Sequence, residues 1–131
     1  MLGFANAPVL SPQSAGKKLA QLSRQYDFSL FEYWASDYAG HKQDMKWAVT
    51  QFTIFDAVLK GLIDNWNDEE GLILITSDHG NMEDLSTRRH TDAKVPAILI
   101  GSNKARNAFS SGLNDLTGIH DKILSATTTN S

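Results

Sequence analysis

The chain has 131 residues, 41% of them hydrophobic, with a net charge of -3 and no cysteine. That is one domain's worth, long enough to bury a core without a disulfide or a structural metal, and the missing thiols exclude a disulfide framework, zinc ribbons and thiolate catalysis. Basic residues cluster only as the short pairs Lys17 with Lys18 and Arg88 with Arg89, which gives no footprint for nucleic acid, and no stretch approaches the ~18 apolar residues of a membrane span.

Residues 1–12 read as irregular; Pro8 and Pro12 and the lack of a basic n-region make them a poor signal peptide, so the cytoplasm is the expected location. From Ser14, "SAGKKLAQLSRQY" sets Ala15, Leu19, Leu22 and Tyr26 near helical spacing and predicts a short amphipathic helix. The aromatic run "FSLFEYW" (28–34) predicts a strand, ended by "ASDYAG", where Gly40 marks a turn. Next, residues 42–66 carry apolar side chains at 45, 48, 49, 52, 55, 59, 62, 63 and 66, the signature of a long helix, with Trp47, Ile54 and Val58 widening the stripe. "LILITS" (72–77) predicts a strand buried on both faces, and "VPAILIG" (95–101) a second, with Pro96 at its start where a missing N–H is tolerated. "LNDLTGIHDKILSA" (113–126) predicts a closing helix, followed by a frayed tail, "TTTNS". Strand, long helix, strand is a βαβ unit, so the expected class is α/β, with a parallel sheet in a single domain over 1–131.

Parallel sheets carry their chemistry in the loops beyond the carboxyl ends of their strands. Asp37 and His41 follow the first predicted strand, and Asp78 and His79 follow the second. Imidazole with carboxylate suits Zn²⁺, Mn²⁺ or Fe²⁺, and adding His90 gives three ligands and an open position, the pattern of a catalytic rather than a closed site. Adjacent residues on a strand point to opposite faces; where the chain leaves the strand at Gly80 that rule relaxes, and Asp78 and His79 can face one cleft or serve two ions. Singly, an acid–histidine pair is more often a hydrogen-bonded turn than a ligand set; two pairs plus a third histidine on strand-end loops weigh against that. His120, in the closing helix, reads as structural, and Arg88 and Arg89 as surface charge before anion contacts. No Walker loop, G-x-G-x-x-G or G-x-S-x-G elbow is present.

"SDYAGH", a long helix, "LILITSDHGN" and then "RRHTDAKVPAILIG" together resemble the carboxyl-terminal part of the alkaline phosphatase superfamily, in the metalloenzyme branch that holds cofactor-independent phosphoglycerate mutase and phosphopentomutase. The likeness runs from about Phe28 to Gly101. It implies an alkaline phosphatase-like three-layer α/β/α fold with a mainly parallel sheet, incomplete in this chain. It also implies two divalent ions, Mn²⁺ or Zn²⁺, flanking a phosphorylated serine or threonine. By motif match Asp37, His41 and His90 hold one ion, and Asp78 and His79 hold part of the second. The family's other aspartate ligand and its nucleophile have no counterpart here, so one bound ion and no catalytic nucleophile are expected. The implied reading is the metal-binding part of an enzyme that transfers or hydrolyses phosphate esters, with sulfate esters second; its partners are a small phosphate ester and either the amino-terminal half of the enzyme or a second copy of the chain as a homodimer. The alternative is a non-catalytic metal-binding or assembly module.

Overall fold

The computed structural model describes residues 8–128, so the expectations for residues 1–7 and for the end of the tail lie outside the described residues. In chain order the elements are α1 (Pro12–Ser23), α2 (Trp34–Lys42), α3 (Met45–Ile63), β1 (Ile73–Thr76), β2 (Ala97–Ile100), α4 (Asn103–Ser110) and, after a 3-10 turn at Leu116–Gly118, α5 (Ile119–Thr128). Local chemistry sets the helix starts. Ser11 caps α1 by accepting from the N–H of Ser14, and Pro12 occupies the first turn, where its missing N–H is no loss. Asp44 accepts from Trp47 N–H to start α3, and Ser102 from Ala105 N–H to start α4.

The core lies where α1 crosses α3, and small residues build it. A Cβ on Gly16 would lie 1.9 Å from the carbonyl oxygen of Val58, and one on Gly61 would lie 2.1 Å from that of Gln13. The two backbones meet through their glycines, with Ala20 and Val58 buried on the same two helices and Ala48 buried nearer the start of α3. α2 packs on the same long helix. Many larger apolar side chains stay exposed, among them Phe28, Leu30, Phe31, Trp34 and Phe52.

Two expectations are corrected. Residues 28–34 form no strand: 28–33 are irregular and Trp34 already begins α2. A strand needs a neighbour to complete its ladder, and this segment is tied to α3 by side chains instead. The Tyr33 hydroxyl donates to the backbone oxygen of Gln51 (3.2 Å) and to its Oε1 (3.0 Å), while the Tyr33 ring stacks on Phe55. Burial pushes the Tyr33 hydroxyl above its usual range. Second, β1 and β2 pair antiparallel, Ile73 opposite Ile100 and Thr76 opposite Ala97, where a parallel sheet was expected. A parallel pair needs a crossover, usually helical. Residues 77–96 between β1 and β2 hold no helix, so the chain returns beside itself. The mixed α/β class stands, with a two-stranded sheet among the described residues. No helix among them is long and apolar enough to cross a membrane.

The antiparallel pairing decides where the histidines go. The end of β1 lies beside the start of β2, so both arms of the 77–96 loop leave from one side of the sheet, and a bridge between Gly80 and Thr91 holds the arms together.

Candidate metal centre

Two pieces of chain build the site. The first is α2, on which Asp37 and His41 stand one turn apart, as residues i and i+4 on one helix face do. His41 Nε2 lies 3.4 Å from Asp37 Oδ1. The second is the 77–96 loop, whose arms deliver His79 and His90 with their rings stacked, centroids 3.5 Å apart. His90 Nε2 is 3.3 Å from Asp37 Oδ1 and also 3.3 Å from His41 Nε2; His79 Nε2 is 4.0 Å from Asp37 Oδ1. One carboxylate oxygen thus faces three imidazole nitrogens. The ligand atoms of Asp37, His79 and His90 all lie within 4.8 Å of one another, a spacing one ion can span.

Hydrogen bonds on the far sides of the rings fix what the near sides offer. His41 Nδ1 is 2.7 Å from the carbonyl oxygen of Arg88, and His79 Nδ1 is 3.3 Å from that of Gly80. A carbonyl only accepts, so each Nδ1 carries the proton, and in the neutral rings each Nε2 presents a bare lone pair to Asp37. The carboxylate oxygen also has only lone pairs to offer. Electron pairs converging with Nδ1 anchored to backbone carbonyls is the arrangement that imidazole metal ligands adopt, and a cation among them removes the repulsion. The residues fit a divalent ion.

Asp78 stands apart from this focus. Its side chain is 85% exposed and, among the described residues, pairs with His79, Oδ1 to Nε2 at 3.5 Å. By motif match the five residues fall into two sets, with His79 in the second. In the structure His79 shares the Asp37 focus with His41 and His90, and Asp78 lies at its rim. His120, on α5, pairs with Asp121 at the surface.

Three further residues hold the cluster and were not singled out from the sequence. Asn81, nearly buried, donates from Nδ2 to Asp37 Oδ1 at 2.7 Å. Gln43 ends α2 in the left-handed region, φ 55°. Its Nε2 donates to the carbonyl of Leu85 (3.0 Å) and its Oε1 accepts from Arg88 Nε (3.0 Å), which fastens the loop across the helix end and sets the Arg88 carbonyl on His41. Glu83 accepts from Asn81 N–H at 2.8 Å and from the Thr91 hydroxyl, bracing both arms of the loop. The Thr91 hydroxyl, first, and neighbouring N–H groups hold the Glu83 carboxyl below its usual range.

The cluster borders a wide, open groove whose lining includes Asp37, His79 and His90 together with Phe28, Phe31, Phe55 and Leu74.

A family model described as "Metalloenzyme superfamily" matches residues 6–130. Among curated proteins, the chain is 31% identical over 109 residues to a 2,3-bisphosphoglycerate-independent phosphoglycerate mutase of Mesomycoplasma hyopneumoniae, a match covering 77% of the chain and 20% of the relative. It is also 31% identical to enzymes of the same name from Thiobacillus denitrificans, covering 72% of the chain and 20% of the relative, and from Yersinia pestis, covering 80% and 22%. The chain therefore spans about a fifth of the length of these relatives. No solved structure is a significant match.

Proposed function

The chain belongs to the metalloenzyme superfamily, and from that premise we propose that it is the metal-binding part of an enzyme that moves or hydrolyses the phosphate of a small phosphate ester. The observation that carries this is the convergence of His41, His79 and His90 on one oxygen of Asp37, with two of the rings anchored through Nδ1. Asp37, His41 and His90, with His79 beside them, would hold one Mn²⁺ or Zn²⁺; Asp78 and His79 supply part of a second set. A divalent ion held there supplies Lewis-acid stabilisation of charge on a phosphoryl oxygen. The chain's own residues do the rest of what is proposed here: Asp37 contributes the negative charge that holds a cation, the imidazoles bind as neutral donors, and the Arg88 and Gly80 carbonyls keep their protons on the far nitrogens. The relatives are named for phosphoglycerate, and a small phosphorylated acid of that class is the substrate we assign to the complete enzyme.

The test is calorimetric titration with Mn²⁺ and with Zn²⁺. About one ion per chain is expected, and His41→Ala and His90→Ala should each lose the binding; unchanged binding in both would sink the assignment.

A second reading, a metal-binding module without chemistry of its own, is favoured by one observation. Serine and threonine hydroxyls beside the cluster in sequence are already committed, Ser36 to the carbonyl of Tyr33 at 2.9 Å, Ser77 to the carbonyl of His79 at 2.8 Å and Thr91 to Glu83. None of the three is poised as a nucleophile. With p-nitrophenyl phosphate and Mn²⁺ the chain alone should show no turnover above that of the free ion. Turnover abolished by Asp78→Asn would reveal a nucleophile or an activated water supplied by this chain.

A further inference from the structure

We propose that Asn81 is a positioning residue for the cluster, acting through Asp37, and that Gly40 is the space which admits it. The inference rests on the metal reading above and extends it to residues that touch no ion. Asp37 lies in the first turn of α2 and is itself one-third exposed, and His41 is the one α2 side chain that faces its carboxylate, so the hold toward the loop has to come from the loop. Asn81 supplies it. Its Nδ2 donates to Asp37 Oδ1 at 2.7 Å, the same oxygen that the three imidazole nitrogens face, and it lies 3.4 Å from the backbone oxygen of Asp37. Because a carboxylate only accepts, the amide's orientation is determined: Nδ2 faces Asp37, and Oδ1 faces the other way.

What Oδ1 faces is Gly40. A Cβ there would lie 1.4 Å from Asn81 Oδ1 and 2.3 Å from its Cγ, so no other residue at position 40 leaves the amide where it is. Gly40 stands three residues after Asp37, on the same face of α2. The amide therefore slots onto the helix between them. Asn81 is only 6% exposed, and among the described residues its Oδ1 has no hydrogen-bond partner. A buried amide left half-satisfied is unfavourable in itself, and an apolar side chain would remove that penalty; the half that is satisfied is the half that grips Asp37. The loop presents Asn81 in a fixed pose, since its own N–H is held by Glu83 at 2.8 Å and the preceding Gly80 is bridged to Thr91.

Removing the grip should weaken metal binding without touching a ligand. Partners of this kind typically change metal affinity about 10- to 100-fold. Mn²⁺ titrations of the full chain are compared for wild type, His90→Ala, Asn81→Leu, Asn81→Ser and Gly40→Ala, each well below its own melting temperature, with metal-free melts alongside. The leucine fills the space without a donor, the serine keeps a hydroxyl too short to reach, and the alanine at 40 expels an intact Asn81. All three should bind Mn²⁺ about 10- to 100-fold more weakly than wild type. A purely structural role for Asn81 would lower the metal-free melting temperature and leave affinity where it was, and that result overturns the proposal; should Asn81→Leu fail to fold, the milder Asn81→Ser decides. If wild type binds and His90→Ala does not, while the position 81 variants bind like wild type, the metal site stands and the positioning role falls. Wild type and His90→Ala binding equally, or neither binding, removes the metal site and this inference with it.

Discussion

Glu83 shows how single side chains set the geometry of the loop. Its carboxylate takes the Asn81 N–H and the Thr91 hydroxyl at once, joining the two arms that carry His79 and His90. Those bonds favour the charged form and hold its carboxyl below the ordinary range, the Thr91 hydroxyl contributing most. The sign follows from linkage. A depressed carboxyl stabilises the fold fully above the unfolded value of about 4.3, and the contribution is lost as pH falls from there through the lower folded value. Asp84 and Asp115 are depressed too, chiefly by the hydroxyls of Ser86 and Thr117, so a global melt would mix three groups. A local probe separates them: hydrogen exchange at the Asn81 amide should lose protection in that acid window in wild type, and Glu83→Gln should show weaker protection at neutral pH with little acid dependence. Equal protection in both would refute the brace. At this scale the sequence shows the chemistry-bearing types, because two acid–histidine pairs beside loops are rare enough to notice in a chain with four histidines. It does not show the holding residues. An asparagine after glycine reads as a turn, glutamine gives no sign of a left-handed φ, and the Arg88 contact to His41 is made by a backbone oxygen that every residue type possesses.

Among the elements, the α1–α3 crossing is where the fold is most exactly specified. Gly16 and Gly61 let the backbones touch, and their would-be Cβ atoms meet backbone rather than side chains that could swing away. Gly16→Ala should therefore destabilise the chain by about 3 kcal/mol, the upper part of the usual overpacking range, because the helices must separate. Lys18→Ala, at an exposed position on the same helix, should stay within about 0.5 kcal/mol of wild type. Urea melts of the two variants measure this; a Gly16→Ala chain as stable as Lys18→Ala would mean the crossing is loose. Helices α1 and α3 are legible from apolar period and α5 as a closing helix, as are the apolar runs that form β1 and β2. α4 was not singled out, although Ser102 as a cap and Ala105 with Phe109 at helical spacing were available. Residues 28–34 misled because a run rich in aromatics describes a surface that wants covering, not the partner that supplies the ladder. Strand direction was read wrongly for a related reason: it depended on a βαβ unit whose first strand does not form.

For the whole molecule the question is what covers the apolar surface. The accessible area is 9827 Å², against about 6800 Å² for a compact monomer of 14.4 kDa. The excess, about 3000 Å² on one chain, is well above the ~800 Å² per partner of a standard interface. Part of the exposed apolar surface lines the groove beside the metal cluster: Leu30 is 74% exposed and Phe31 and Phe52 more than half. Apolar surface on this scale drives association whenever a complementary surface is supplied, and in a solution of the chain alone the available surface is another copy. The expected outcome is that the purified chain self-associates, with a dimer as the first species and a melting temperature that rises with concentration. Phe31→Glu with Phe52→Glu places charge in the groove wall and should shift the population toward monomer while leaving Mn²⁺ stoichiometry unchanged, because neither residue touches the cluster. Light scattering after size-exclusion chromatography, over a concentration series, reads the first effect and titration the second. A wild-type monomer with a sharp, concentration-independent melt would show that the chain closes this surface by itself, and the groove would then have to be a feature of one conformation rather than a site of assembly.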